Sequence, residues 1–299
     1  MAVNTEQIEN VGLLLNNPER PLKERFRALF TLKNIGGEAS IDWISKAFSD
    51  DSALLKHEVA YCLGQLQDPH AIPVLTSVLS DPGREPIVRH EAAEALAAIG
   101  GEEVEATLRK YSEDEVVEVR ETCQLALDMI NFRKNNKKVA SNEFGSVDPA
   151  PPSEEKSVDN LQLCLLDSKL SLFERYKAMF ALRNKGDEVS IKALASGLTD
   201  SSALFRHEIA FVLGQVASGH AVTELVERLR DDKESAMVRH ECAEALGSIA
   251  SPGLDIEQEL ARYLSQDTPA VVRESCVIAL DMADYNNSAE FQYANGLSQ

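Results

Sequence analysis

The stretch DDSALLKHEVAYCLGQL (50–66) occurs a second time as DSSALFRHEIAFVLGQV (200–216), with ten of the seventeen positions identical. A second stretch, VRHEAAEAL (88–96), returns as VRHECAEAL (238–246) at the same offset along the chain. Apolar residues in both stretches recur at the spacing of one helix face, among good helix formers. The repetition therefore predicts a fold built from a recurring helical unit.

A shorter period runs inside each half of the chain. In the first half the aligned segments end on leucines 31 to 33 residues apart. The eight segments are RFRALFTL (25–32), KHEVAYCL (56–63), RHEAAEAL (89–96), RETCQLAL (120–127), RYKAMFAL (175–182), RHEIAFVL (206–213), RHECAEAL (239–246) and RESCVIAL (273–280). Second helical patterns lie between them, such as SIDWISKAF (40–48). Two helices per unit predict an all-α fold, an α-solenoid of eight HEAT-like helix-pair repeats in two four-repeat arms.

The same pattern divides the chain into segments. Residues 1–134 are predicted as the N-terminal arm and residues 158–285 as the C-terminal arm, each with four repeats. The stretch 135–157 is polar, rich in Pro and Ser and without helical periodicity, which predicts a flexible linker. The tail, 286–299, shows no strong pattern and is a candidate for disorder.

Composition excludes some classes of function. The 299 residues are 44% hydrophobic, enough for a substantial core, and no apolar run is long enough to cross a membrane. The net charge of −19 argues against nucleic acid as the main partner and is compatible with a cationic ligand. Five cysteines without CxxC spacing predict buried free thiols, and no secretory signal is evident, so we expect a cytoplasmic protein.

Four of the six histidines are followed directly by glutamate. The pairs are His57-Glu58, His90-Glu91, His207-Glu208 and His240-Glu241. At about 100° per residue, each pair lies on the side of its helix opposite the apolar stripe, which predicts that all four face the concave surface. One such pair is ordinarily a solvated surface feature. Recurrence at neighbouring repeats on one face favours use in metal binding or catalysis.

Imidazole and carboxylate ligands without thiolate suit non-haem iron, manganese or zinc, and two histidines with one carboxylate suit oxygen-activating iron. Each arm can supply one such set. The sets are His57 and His90 with Glu58, Glu91 or both, and His207 and His240 with Glu208, Glu241 or both. If the arms face each other, two metals would share one site about 3.5–4 Å apart. None of the pairs continues as HExxH, which argues against a zinc metalloprotease.

Residues one or two turns beyond the histidines lie on the same side of their helices. Glu94 and Glu244 are expected either to orient a ligating histidine or to hold a substrate ammonium group. Gly64 and Gly214 follow on that face and are expected to leave room there.

Two arms of four HEAT-like units, a variable linker, and His-Glu pairs in the second and third repeats of each arm together resemble deoxyhypusine hydroxylase over nearly the whole chain. The resemblance implies a di-iron monooxygenase that uses molecular oxygen and an external reductant. Its substrate would be the deoxyhypusine side chain of translation initiation factor 5A, which is converted to hypusine. It also implies two Fe ions that activate oxygen as Fe2+, with a peroxo species bridging both irons.

The resemblance implies that all eight residues of the four pairs form the metal site. It implies no catalytic residue outside that site. It implies His57, His90 and Glu91 at one iron and His207, His240 and Glu241 at the other. Glu58 and Glu208 are then further ligands or anchors for the substrate amines, and Glu94 and Glu244 are additional candidates for substrate binding.

Three alternatives remain at this point. The first is a non-catalytic HEAT-repeat scaffold, which gives no reason for histidine at four equivalent sites. The second is a bilin lyase-like protein, whose family also uses short HEAT-like repeats and needs no oxygen-activating metal pair. The third is a zinc hydrolase on the same ligands. A metal-free protein would favour either of the first two, and metal analysis identifies the third.

Overall fold

The computed structural model describes residues 3–135, 143–250, 254–264 and 268–286. Over these residues the chain forms sixteen α-helices and no strand. The predicted all-α fold of repeated helix pairs is confirmed. The helices are α1 Thr5–Leu15, α2 Leu22–Ile35, α3 Glu38–Lys46, α4 Ala53–Leu66, α5 Ile72–Ser80, α6 Pro86–Ile99, α7 Glu102–Tyr111, α8 Val117–Asn135, α9 Val158–Leu166, α10 Leu172–Lys185, α11 Glu188–Ala195, α12 Ala203–Val216, α13 Val222–Arg230, α14 Ala236–Ile249, α15 Ile256–Ala261 and α16 Ala270–Asn286.

The chain divides into two compact units, the first ending at Ile130 and the second beginning at Asn131. Inside each unit the even-numbered helices carry the eight aligned segments, and neighbours among them pack side by side, as α4 does on α6 and α12 on α14. The two units follow the duplication in the sequence. The finer division into four-repeat arms, linker and tail stays a prediction.

Part of the stretch predicted as a flexible linker is anchored within the second unit. Arg183 on α10 is fully buried, and its guanidinium pairs with Asp148 (Nη2–Oδ2 2.6 Å). The ring of Phe144 lies against the same guanidinium, 4.5 Å from its centroid. A buried charge needs a partner, so this ion pair holds Asp148 against α10; we call the segment 143–157 the strap. The flexible linker at 135–157 stays a prediction, and residues 136–142 and 287–299 lie outside the described part of the chain.

Buried arginines tie four of the helix pairs together. In four of the pairs the arginine Nε donates to a leucine carbonyl near the end of the preceding helix, at 2.8–3.0 Å. These bonds are Arg25 to Leu15, Arg89 to Leu79, Arg175 to Leu165 and Arg239 to Leu229. Since Arg89 and Arg239 directly precede histidines, the same bonds help to fix the first turns of α6 and α14.

Two glycines allow the histidine-bearing helices to approach each other. A Cβ added to Gly64 would lie 2.7 Å from the Cα of Ala95, and one added to Gly214 would lie 3.0 Å from the Cα of Ala245. The expectation that these glycines leave open room is therefore wrong. The neighbouring helix fills the space, because interiors pack to high density.

Two expectations drawn from composition, on the cysteines and on membrane-spanning segments, can be compared with the structure. Of the five cysteines, four are buried as expected, whereas Cys164 is exposed on α9. That helix packs on α10 and α11, and Cys164 lies on its uncovered side next to the exposed Leu163. Among the helices that the structure describes, none is both long and apolar enough to cross a membrane.

Candidate metal centre

The four His-Glu pairs lie in the second turns of α4, α6, α12 and α14. Serine caps set where two of these helices begin: the Ser52 hydroxyl accepts from the Leu55 amide (3.0 Å), and the Ser202 hydroxyl accepts from the Phe205 amide (3.1 Å). All eight side chains of the pairs are buried. Burial of so many ionisable groups is unfavourable unless they are paired or bind a cation, so the arrangement indicates a functional site.

In the first unit, His57 lies between two carboxylates. Its Nδ1 is 3.2 Å from Oε1 of Glu58, and its Nε2 is 3.2 Å from Oε2 of Glu91 on the neighbouring helix. The ring of His90 lies 5.6 Å from the ring of His57. The structure thus brings together all four residues that the sequence predicted for this site.

The two carboxylates control the protonation of His57. Burial by itself lowers the pKa of the imidazole, but the negative charges of Glu91 and Glu58 outweigh it and raise the pKa of His57 well above its ordinary value. The site therefore favours a positive charge at this position. A divalent cation would take the place of that proton, because metal binding requires the neutral imidazole.

In the second unit, two histidines converge on one glutamate. Oε2 of Glu241 is 3.4 Å from Nε2 of His207 and 3.9 Å from Nε2 of His240. One ligand atom of each of these three residues lies within 4.8 Å of the others. Glu208 is buried on α12 but is not a member of this three-residue group.

The donor set fits a transition metal. Two imidazoles and one carboxylate, all buried, are the combination that non-haem iron and related divalent ions use, with further coordination positions left for other ligands. No cysteine belongs to this three-residue group, and burial raises the pKa of the neighbouring Cys242 thiol well above its ordinary value. The site is compatible with metal binding on the nature of its ligands.

Glu244 lies beside His240, on the other edge of the ring from Glu241. Its Oε1 is 3.7 Å from His240 Nδ1 and accepts a hydrogen bond from the Ser275 hydroxyl at 2.9 Å. Glu94 holds the corresponding position on α6. Sequence reasoning missed Ser275; the only signal was its place in the aligned segment RESCVIAL, where RETCQLAL has Thr122.

Fold and site together define a class: an all-α protein of HEAT-like helix pairs that carries buried histidine–glutamate clusters suited to metal. Family models agree, since HEAT repeats match residues 13–86 and 191–281 and the PBS lyase HEAT-like repeat matches residues 88–114.

Comparison with known proteins specifies the family. A Drosophila pseudoobscura pseudoobscura protein named deoxyhypusine hydroxylase is 60% identical over 299 residues, covering 99% of this chain and 98% of the relative. The human protein of that name is 52% identical over 298 residues, again covering 99% and 98%. The structure of human deoxyhypusine hydroxylase in complex with glycerol matches with a TM-score of 0.91 at 54% identity, covering 94% of this chain and 97% of that one. The chain belongs to the deoxyhypusine hydroxylase family.

Membership in this family makes the chain an oxidoreductase. The scaffold and bilin lyase alternatives are set aside by the near-complete coverage of these relatives.

Proposed function

We propose that this chain hydroxylates the deoxyhypusine side chain of translation initiation factor 5A, using molecular oxygen, an external reductant and two iron ions. The observation that carries the proposal is the buried group of His207, His240 and Glu241 in the second unit, together with the buried His57, His90 and Glu91 on the matching helices of the first. Identity of 52% to 60% to relatives of this name supports the choice of substrate. A cytoplasmic location is part of the same proposal, because unpaired thiols suit a reducing compartment.

The ligands of the two irons are assigned by unit. His57, His90 and Glu91 would hold one ion, and His207, His240 and Glu241 would hold the other. Iron, when bound, supplies the activation of oxygen. The chain's own residues supply neutral imidazoles and fixed carboxylates in a buried environment, where charge interactions are stronger than in water.

The remaining glutamates would bind the substrate. Deoxyhypusine is a lysine extended by a polyamine, so it is long and cationic. Glu58 and Glu208 are buried next to the metal ligands, and a buried carboxylate that pairs with an ammonium group gains both energy and orientation. Glu94 belongs to the same proposed substrate set, whereas the bond from Ser275 favours an orienting role for Glu244. The net charge of −19 would attract such a substrate over longer distances.

The direct test is oxygen incorporation. The full chain, loaded with ferrous iron, is incubated with factor 5A that carries deoxyhypusine, under oxygen-18 gas with a chemical reductant. We expect one oxygen-18 atom at the modified lysine, detected by peptide mass spectrometry. Two controls are run in parallel. The first is the same chain loaded with zinc in place of iron, and the second is factor 5A that carries unmodified lysine. Iron-loaded chain that leaves the substrate unchanged, or product oxygen that comes from water, would contradict the proposal.

Glu58→Gln separates substrate binding from metal binding. The amide keeps the shape of the side chain and loses the charge that pairs with an ammonium group. We expect KM for the modified factor 5A to rise by about tenfold or more, which corresponds to one charge-assisted hydrogen bond. Because Glu58 also lies 3.2 Å from Nδ1 of His57, iron affinity should weaken, but at saturating ferrous iron the iron content should stay at the parent level. Loss of iron with an unchanged KM would instead make Glu58 a metal ligand.

A further inference from the structure

We infer that Ser275 is a positioning residue for His240: its hydroxyl links the outer nitrogen of that ring to Glu244 and thereby aims Nε2 at the metal. This inference rests on the proposed function, because it takes His240 as a ligand. It goes beyond that function because Ser275 lies outside the His-Glu pairs and because it makes the two units unequal in how firmly they hold a metal.

The hydrogen-bond directions follow from the chemistry of the three groups. Ser275 Oγ is 2.9 Å from Oε1 of Glu244 and 3.4 Å from Nδ1 of His240. A carboxylate only accepts, so the serine proton points to Glu244 and the lone pairs of the hydroxyl are left for the ring. Nδ1 of His240 then carries the hydrogen. Nε2, on the side of Glu241, keeps the lone pair that a metal needs.

Helix packing makes the contact possible. His240 and Glu244 lie one turn apart on α14, Ser275 lies on α16, and these two helices pack against each other. They approach closely at Gly247, where an added Cβ would lie 2.6 Å from the Cα of Ala279. Ser275 and His240 are both fully buried, so the serine hydroxyl meets this ring in a site closed to bulk solvent.

In the first unit the corresponding hydroxyl has a different hydrogen-bond acceptor. Thr122 occupies the position of Ser275 in the aligned segment and is also buried, but its hydroxyl donates to the backbone carbonyl of Glu118 on its own helix at 2.8 Å. A hydroxyl has one proton to donate. The proton that Ser275 gives to a carboxylate is therefore given to the backbone by Thr122, as β-hydroxyl residues within helices often do.

The two metal sites should accordingly differ in their sensitivity to loss of this hydroxyl. Partners of a ligating histidine orient the ring and raise its basicity, and their removal ordinarily costs about 10- to 100-fold in metal affinity. In Ser275→Ala we expect a loss of that size at the site of His207, His240 and Glu241, with the site of the first unit unchanged.

The test is an anaerobic titration of the metal-free full chain with ferrous iron, with bound metal counted by mass spectrometry, and a parallel titration with cobalt followed by its visible absorption. The parent should bind two ions per chain. Ser275→Ala should bind one ion with parent affinity and the second about 10- to 100-fold more weakly. The matched variant Thr122→Ala should titrate like the parent.

A second readout does not depend on metal. Histidine ring nitrogens labelled with nitrogen-15 report the tautomer in the metal-free chain, and we expect His240 to change from a single Nδ1-protonated form to a tautomer mixture in Ser275→Ala. His90 should keep its signals in that variant. Glu244→Gln, at a less deeply buried position, should give the same change in weaker form.

The outcomes separate the inference from the function it rests on. A parent chain that takes up no iron would contradict the proposed function, while the tautomer of His240 still tests the serine contact. Two equal sites in Ser275→Ala, with unchanged His240 signals, would overturn the inference and leave the di-iron proposal intact.

Discussion

The two units present the same donor residues in different surroundings. In the first unit one histidine, His57, lies at 3.2 Å from each of two carboxylates. In the second unit one carboxylate, Glu241, lies at 3.4 and 3.9 Å from two histidines. The duplicated helices therefore fix which groups meet, whereas single differences nearby decide how each group is held.

The surroundings differ most at the strap. Arg183 on α10 is fully buried against Asp148, and it also donates to Gln215 on the histidine-bearing helix α12 at 2.8 Å. The corresponding position in the first unit is Lys33, which is only partly buried. The second unit thus depends on a segment outside the repeats that fixes one of its inner helices.

The largest effect should come from the ligands themselves. His90→Ala and His240→Ala each remove one imidazole from a buried set, and we expect activity to fall by well over 100-fold in both, since even an outer partner is worth about 10- to 100-fold in affinity. The hydroxylation assay with factor 5A measures this. His220→Ala, at an exposed histidine, is the matched control and should keep parent activity. Full activity in either ligand variant would show that its unit does not hold a required metal.

The next largest effect concerns the strap. Asp148→Ala leaves the Arg183 guanidinium buried without its carboxylate, which should lower the free energy of unfolding by about 3–5 kcal/mol. Lys33→Ala, at the aligned position of the first unit, should lower it by less than about 1 kcal/mol. Urea denaturation followed by circular dichroism measures both. Equal, small losses would mean that the strap contributes little to the second unit.

A third contrast concerns the arginines that precede His90 and His240. Arg89 pairs with the largely buried Asp114 at 2.6 Å, whereas Arg239 pairs with Asp232 at 3.4 Å, and the Asp232 side chain is 89% exposed. Asp114→Asn should lower the free energy of unfolding by about 1.5–3 kcal/mol, the range for hydrogen bonds to charged groups. Asp232→Asn should change it by less than about 0.5 kcal/mol.

The same pair predicts a dependence on pH. Burial by itself raises the pKa of Asp114, but the hydrogen bonds from Arg89 and the Val116 amide outweigh it and hold the pKa below its ordinary value. The unfolded chain therefore binds this proton more readily than the folded chain. The stabilisation is complete above the unfolded pKa of about 3.9 and is lost as the pH falls through the lower folded value. Asp114→Asn should remove this part of the acid sensitivity; an unchanged acid profile would contradict it.

The smallest contrast is at the paired glycines. A Cβ at Gly64 would lie closer to its neighbouring helix than one at Gly214, at 2.7 Å against 3.0 Å. Overpacking ordinarily costs about 1–3 kcal/mol, and alanine regains about 1 kcal/mol of helix propensity. Gly64→Ala should therefore lower the free energy of unfolding by about 1–2 kcal/mol, while Gly214→Ala should be close to neutral. Denaturation of the two variants side by side tests the difference, and a reversed order would contradict the packing account.

Most of the fold and of the candidate site could be predicted from the periodicity of the sequence. The spacing of leucines in segments such as KHEVAYCL places the helices, and the recurrence of His-Glu in adjacent repeats places the two pairs of each unit on neighbouring helices. Both inferences depend on local geometry, which a regular helix reproduces from residue to residue.

Contacts between segments far apart in the chain could not be predicted from local periodicity. Arg183 and Asp148 form a buried pair across a polar stretch whose composition suggests only flexibility. Ser275 reaches His240 because Gly247 lets two helices approach, and nothing in RESCVIAL marks that serine. The role expected for Gly64 was wrong for the same reason, since it depends on which helix packs opposite.

In the proposed function, each unit holds one iron ion. The most direct measurement is the iron content of the full chain after anaerobic reconstitution with ferrous iron and removal of the excess, together with its visible absorption. We expect two irons per parent chain. The iron content should fall to no more than one per chain in His90→Ala and in His240→Ala. A reconstituted parent chain that retains no iron, or one that retains two irons in both variants, would contradict it.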